Sequence, residues 1–149
     1  MKNFKIFAMF LMLFASIGAM AQRPTFVNRN GDERFGNNLT TTDSAFHYVD
    51  SVVIKANEGG IVEVSVVGFA KDTLYCVTGL KKVRFSKRAG TLTMGTVIDD
   101  MAVVTDTPLG TATFDLVAAN NKIYVRVKGK LGNSITWTSV IKRKTLSYP

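Results

Sequence analysis

One cysteine, one histidine and one tryptophan are all that this chain of 149 residues holds of three residue types on which much protein chemistry depends. Cys76 alone cannot form an internal disulfide, so stability must come from packing. In the run Leu74-Tyr75-Cys76-Val77 it reads as a small buried hydrophobe. His47 and Cys76 are the only soft metal donors, too few for a zinc site. His47 lies in Asp43-Ser44-Ala45-Phe46-His47-Tyr48-Val49-Asp50, which contains every residue type of a hydrolytic triad. In an extended chain, however, Ser44 and His47 point to opposite faces, and triad members must meet within hydrogen-bond reach. His47 therefore reads as a solvent-facing or hydrogen-bonded strand residue.

Other absences narrow the field further. Asp99-Asp100 is the densest acidic pair, and neighbours in a strand diverge, so paired acid and base work is not expected there. No glycine-bearing segment has phosphate-loop spacing. Asn28, Asn30 and Asp32 loosely suggest a calcium loop, but Gly31 is misplaced and Leu39 stands where the closing acid belongs. Beyond the N-terminal run, no window of ten or more residues has helical periodicity. The residue types thus lead to the expectation of a chain that is not an enzyme and uses neither cofactor nor metal.

What is present begins with Lys2 and Lys5, followed by an uncharged, apolar run over residues 6–21 that closes on Ala19-Met20-Ala21. This is the pattern of a cleavable signal peptide, residues 1–21. The run falls short of the roughly 20 strongly apolar residues that a membrane span requires. Export to the periplasm, cell surface or medium is expected, with membrane contact only through the signal; a virion location is the alternative. Cleavage would leave 128 residues (149 − 21), one domain's worth, with 17 Lys and Arg (19 − 2) against 11 Asp and Glu. A charge of +6 permits attraction to an anionic polymer without requiring it.

Residues 22–42 are polar and irregular and read as a flexible arm. Residues 43–149 alternate apolar and polar side chains between turns every eight to twelve residues. That pattern predicts a single all-β antiparallel β-sandwich, jelly-roll-like, of about eight strands. Strands are expected over residues 44–56, 61–70, 73–78, 81–87 and 91–98, with a break at Gly79 and a short strand at 101–105. Residues 112–142 read as a three-strand meander, its first turn the Asn120-Asn121 pair suited to a type I′ hairpin. Trp137 shares a face with Ile135, Ser139 and Ile141 and reads as a core anchor.

Three basic groups stand on outward positions: Lys81, Lys82, Arg84, Lys87 and Arg88; Arg126, Lys128 and Lys130; and Lys142-Arg143-Lys144. Adjacent strands could merge them into a contact surface of Tyr124, Arg126, Lys128, Lys130, Lys82 and Arg84 for an anionic glycan, with Tyr124 as the sugar contact. The simpler account is that outward lysines solvate the sheets and block edge aggregation. With no aromatic ladder beside the charges, specific nucleic-acid binding is not expected.

Residues 79–141 resemble a small β-domain recurrent in bacteriophage virion and tail-fibre-like proteins, including those of phages infecting Bacteroidota. The resemblance is carried by Lys82-Val83-Arg84-Phe85, residues 89–97, Ala112-Thr113-Phe114, residues 123–127 and the closing stretch 129–137, which ends Ile135-Thr136-Trp137. It implies a non-enzymatic structural or host-attachment protein, often a homo-oligomer, with other virion or cell-surface proteins as partners. An export signal is unusual on a virion protein, which keeps open the alternative of a secreted bacterial binding module for anionic glycan or surface polymer.

Overall fold

The computed structural model describes residues 32–36 and 38–147. The expected signal peptide, residues 1–21, and residues 22–31 of the expected arm lie outside the described residues. Within them the chain forms ten strands: β1 (Asp32–Phe35), β2 (Leu39–Thr41), β3 (Phe46–Val53), β4 (Glu58–Ala70), β5 (Cys76–Arg88), β6 (Thr91–Met94), β7 (Ile98–Thr105), β8 (Thr113–Ala119), β9 (Lys122–Lys128) and β10 (Ile135–Ser147). A 3₁₀ turn, Thr107–Leu109, precedes β8. All pairings are antiparallel.

The expected all-β sandwich is present. A seven-stranded sheet runs β1-β10-β4-β5-β6, with β2 also on β10 and β7 also on β5; a three-stranded sheet runs β3-β9-β8. Alternation decides which side chains lie between them. Val62, Val64 and Val66 of β4 face Phe114 and Leu116 of β8 and Ile123, Val125 and Val127 of β9, all essentially without solvent exposure. Each such side chain contributes about 1.5–3 kcal/mol by leaving water, before the chain's lost entropy is counted.

Several expectations change in detail. The meander ends after two strands. Asn120 and Asn121 do form the tight turn of a β8–β9 hairpin, with φ of 49° and 61°. Residues 129–134 then carry the chain across to the other sheet, where β10 pairs with β4 from Ile135↔Ala70 to Ser147↔Glu58. A 13-residue strand gains a far longer ladder from 13-residue β4 than seven-residue β9 could supply.

Gly79 is not a break but lies within the continuous strand β5. The space its side chain would fill is occupied by the Phe114 ring from the facing sheet: an added Cβ would sit 2.7 Å from Phe114 Cε1. The arm boundary also moves. Strands β1 and β2 fall within the stretch read as an arm, and both are held on β10, Asp32↔Arg143 to Phe35↔Val140 and Leu39↔Trp137 to Thr41↔Ile135. Their short, polar sequences carry little alternation, so the ladder supplied by β10 decides their conformation.

Candidate functional site

The outward face of the β3-β9-β8 sheet carries the densest grouping of exposed rings and cations among the described residues. Strand β9 alternates cleanly, sending Ile123, Val125 and Val127 into the core and Lys122, Tyr124, Arg126 and Lys128 outward. Outward residues on one strand stand about 7 Å apart, so Lys122 and Lys128 mark the ends of a row of about 20 Å.

Strand β3 supplies the rings through an irregularity. Its register with β9 runs Phe46↔Lys128, His47↔Val127 and Tyr48↔Arg126, then resumes at Asp50↔Val125. The extra residue, Val49, turns into the core at 6% exposure. This bulge keeps Phe46 and Tyr48 on the same side as Ser51 and Val53; uninterrupted alternation would have split them. Phe46 and Tyr48 are 42% and 60% exposed.

The groups interlock. The Arg126 guanidinium donates to Asp115 Oδ2 at 2.7 Å and lies over the Phe46 ring, 4.6 Å from its centroid. Lys128 Nζ approaches the same ring at 5.9 Å. Tyr48 and Tyr124 pack with centroids 4.9 Å apart, tilted by 54°. A cation over an exposed ring contributes about 0.5–1 kcal/mol, and a part-exposed ion pair about as much. These contacts orient the face more than they stabilise the fold. Lys122, Arg126 and Lys128 stand against one carboxylate, Asp115, on the outward positions of the three strands.

Of the six residues expected as a contact surface, three meet here: Tyr124, Arg126 and Lys128. Lys130 lies on the loop after β9, and its ammonium donates to the Pro108 carbonyl. Lys82 and Arg84 belong to β5 and face outward from the opposite sheet. Lys82 is engaged there by Asp100 at 2.7 Å and Glu63 at 3.2 Å, bonds that raise its pKa in that order. The basic groups therefore do not merge, because β5 and β9 lie in different sheets. Phe46 and Tyr48 were missed; the aromatic spacing at 46 and 48 was the available signal, but nothing in the sequence placed it beside β9.

The remaining chemistry-bearing residues are dispersed. His47 Nε2 and Asp43 Oδ1 are 2.8 Å apart at the entrance to β3. Asp99 pairs with Lys81 at 2.5 Å while Asp100 turns to Lys82, so the acidic neighbours diverge as expected. Cys76 is half-exposed rather than buried, because it falls on the outward register of β5 opposite Phe69. No cluster of three or more His, Cys, Asp or Glu able to hold a metal ion occurs among the described residues.

The His47 hydrogen bond, then the Ala45 N–H, hold the Asp43 carboxyl below its ordinary value of 3.8. A carboxyl more acidic in the folded chain than in the unfolded one adds stability above the unfolded value and loses it as pH falls through the folded one. A shallow loss of stability below about pH 4 is expected, flattened by Asp43→Asn. Urea midpoints measured across that range for both chains provide the check; superimposable profiles would remove this pair's role.

No protein-family profile and no curated relative matches the sequence. Solved structures with a similar arrangement include phage tailspikes. The tailspike of Acinetobacter baumannii phage AM24 aligns over 78% of this chain and 27% of its own, at 6% identity and a TM-score of 0.49. A second, from A. baumannii bacteriophage Fri1, is a capsular polysaccharide depolymerase; it aligns over 79% of this chain and 19% of its own, at 10% identity and a TM-score of 0.37. The chain thus spans about a quarter or less of these tailspikes.

The expectation that the chain is not an enzyme is corrected by the second of these, a polysaccharide-cleaving protein. Residue types alone could not support that expectation, because carboxyl groups that act together can be far apart in sequence and leave no local motif.

Proposed function

We propose that the chain is a host-attachment module of a phage particle, and that the β3-β9-β8 face docks an anionic surface polysaccharide. The observation that supports this reading is the exposure of Phe46 and Tyr48 beside Arg126 and Lys128. Sugar rings present C–H faces that pack on aromatic rings, their hydroxyls suit the tyrosine hydroxyls, and acidic substituents meet the fixed guanidinium and the lysines. A flat, ring-studded sheet face suits an extended polymer, which touches several positions of a 20 Å row at once. Asp115 among the cations favours a partner that also donates hydrogen bonds, as sugar hydroxyls do, over a uniform polyphosphate.

Calorimetric titration with an acidic capsular-type polysaccharide at about 50 mM and about 300 mM salt tests the reading, since a charge-led contact weakens as screening grows. Expected results are binding at the lower salt and a loss of about tenfold or more in Tyr48→Ala combined with Arg126→Ala. Equal affinity for a neutral polysaccharide, indifference to those substitutions, or binding confined to single-stranded nucleic acid would refute it. A secreted bacterial module would use the same face, and the apolar run at residues 6–21 favours that second reading. Mass spectrometry of complete virions separates the two: a chain absent from particles removes the phage role and leaves the glycan face standing.

A further inference from the structure

The opposite outward surface, on the seven-stranded sheet, has a different character. Register aligns Val104, Thr78, Val67 and Thr138 across β7, β5, β4 and β10, and then Met101, Leu80, Ser65 and Val140 beside them. Phe69 lies one position further along β4. Phe69, Met101 and Val104 are 55%, 45% and 58% exposed, while Leu80, Val67 and Val140 are half-buried. Scattered exposed hydrophobics are ordinary; a contiguous apolar end of a sheet is not.

We propose that this apolar end binds a second copy of the chain, sheet face on sheet face across a two-fold axis. Charge distribution selects that occupant. The patch contains no charged side chain, so neither an acidic nor a basic partner is drawn to it. Next along the strands comes a row of alternating sign, Lys142, Glu63 and Lys82, with Asp100 bonded to Lys82. Arg84 and Lys144 lie beyond, both in register with Ile61. A two-fold axis through the patch lays apolar surface on apolar surface and sends the two cationic ends in opposite directions. The β3-β9-β8 face, with three cations to one carboxylate, would instead repel its own copy.

Size sets the strength. Four strands about 4.8 Å apart and about five residues long project to roughly 330 Å² per copy. The pair therefore buries roughly 650 Å² before side-chain relief is counted, below the usual range for a stable specific interface. A weak, reversible dimer follows, and it is isologous, since one patch meets its own copy.

Sedimentation equilibrium in reductant, on the protein as its host processes it, tests this. Wild type is expected to pass from monomer at about 1 μM to mostly dimer above about 100 μM. Met101→Glu with Val104→Glu, both exposed on the short strand β7, is expected to weaken association at least about 30-fold while Tyr48→Ala leaves it unchanged. A wild type monomeric above about 100 μM would overturn the proposal. So would a dimer that survives the double substitution, one abolished by Tyr48→Ala, or one formed only without reductant, which would assign it to Cys76. Should the double variant misfold, oxidation of Met101 in wild type decides: slower oxidation at the higher concentration supports the contact, and equal rates refute it.

Discussion

Replacing Trp137 by alanine is expected to lower the unfolding free energy by about 3–5 kcal/mol, among the largest single-residue losses this chain can show. Trp137 has no solvent exposure. It stands opposite Gly68 on β4, and its ring fills the space that a side chain there would need, with Cε3 only 2.6 Å from where a Cβ would sit. The neighbouring strand therefore has no atoms with which to close the cavity that truncation leaves. The indole also donates from Nε1 to Thr41 Oγ1 at 2.8 Å, in a buried contact. Alanine leaves that hydroxyl without its donor and weakens the seat of β2 on β10. Trp137→Phe retains most of the ring but loses the donor, and should cost about 1–2 kcal/mol. Urea unfolding of the three chains measures both steps. A loss below about 1 kcal/mol for the alanine variant would mean that the site collapses freely and that the ring is not its anchor.

Gly79→Val should cost about 2–3 kcal/mol, although a β-branched residue ordinarily favours a strand over glycine. The sign turns on one contact: the new Cβ would lie 2.7 Å from Phe114 Cε1 and 3.2 Å from Val103 Cγ2. Phe114 is 1% exposed and cannot swing into solvent. Combining the change with Phe114→Leu removes the colliding ring edge, so the pair should cost at least about 1 kcal/mol less than the sum of the single changes. Additive losses, or a stabilised Gly79→Val chain, would show that the sheets separate easily at this point.

Both residues show where sequence reading reached its limit. Trp137 was legible as a core anchor because Ile135, Ser139 and Ile141 share its face. The Asn120-Asn121 turn was legible because asparagine tolerates positive φ, and the β8–β9 pairing followed from it. Gly79 was misread because a glycine inside a strand and a glycine between strands look alike until the ring facing it is known. The sheet to which β10 belongs was likewise hidden, since alternation tells which side chains are buried and not which neighbour buries them.

The candidate site divides in the same way. Tyr124, Arg126 and Lys128 could be grouped from β9 alone, because strand neighbours at i and i+2 share a face. Phe46 and Tyr48 could not, since their place depends on a long-range pairing and on the bulge at Val49. Lys82 and Arg84 were assigned to the same surface for the opposite reason: outward positions on two strands look equivalent until the strands are sorted into sheets.

The position of β10 bears on how the chain comes into being. Strand β10 sits between β4 on one side and β1 and β2 on the other, so the larger sheet cannot close until β10 has been made. Pairings between such distant segments make for slow folding. Until β10 is made, the polypeptide lacks the strand that joins β4 to β1 and β2.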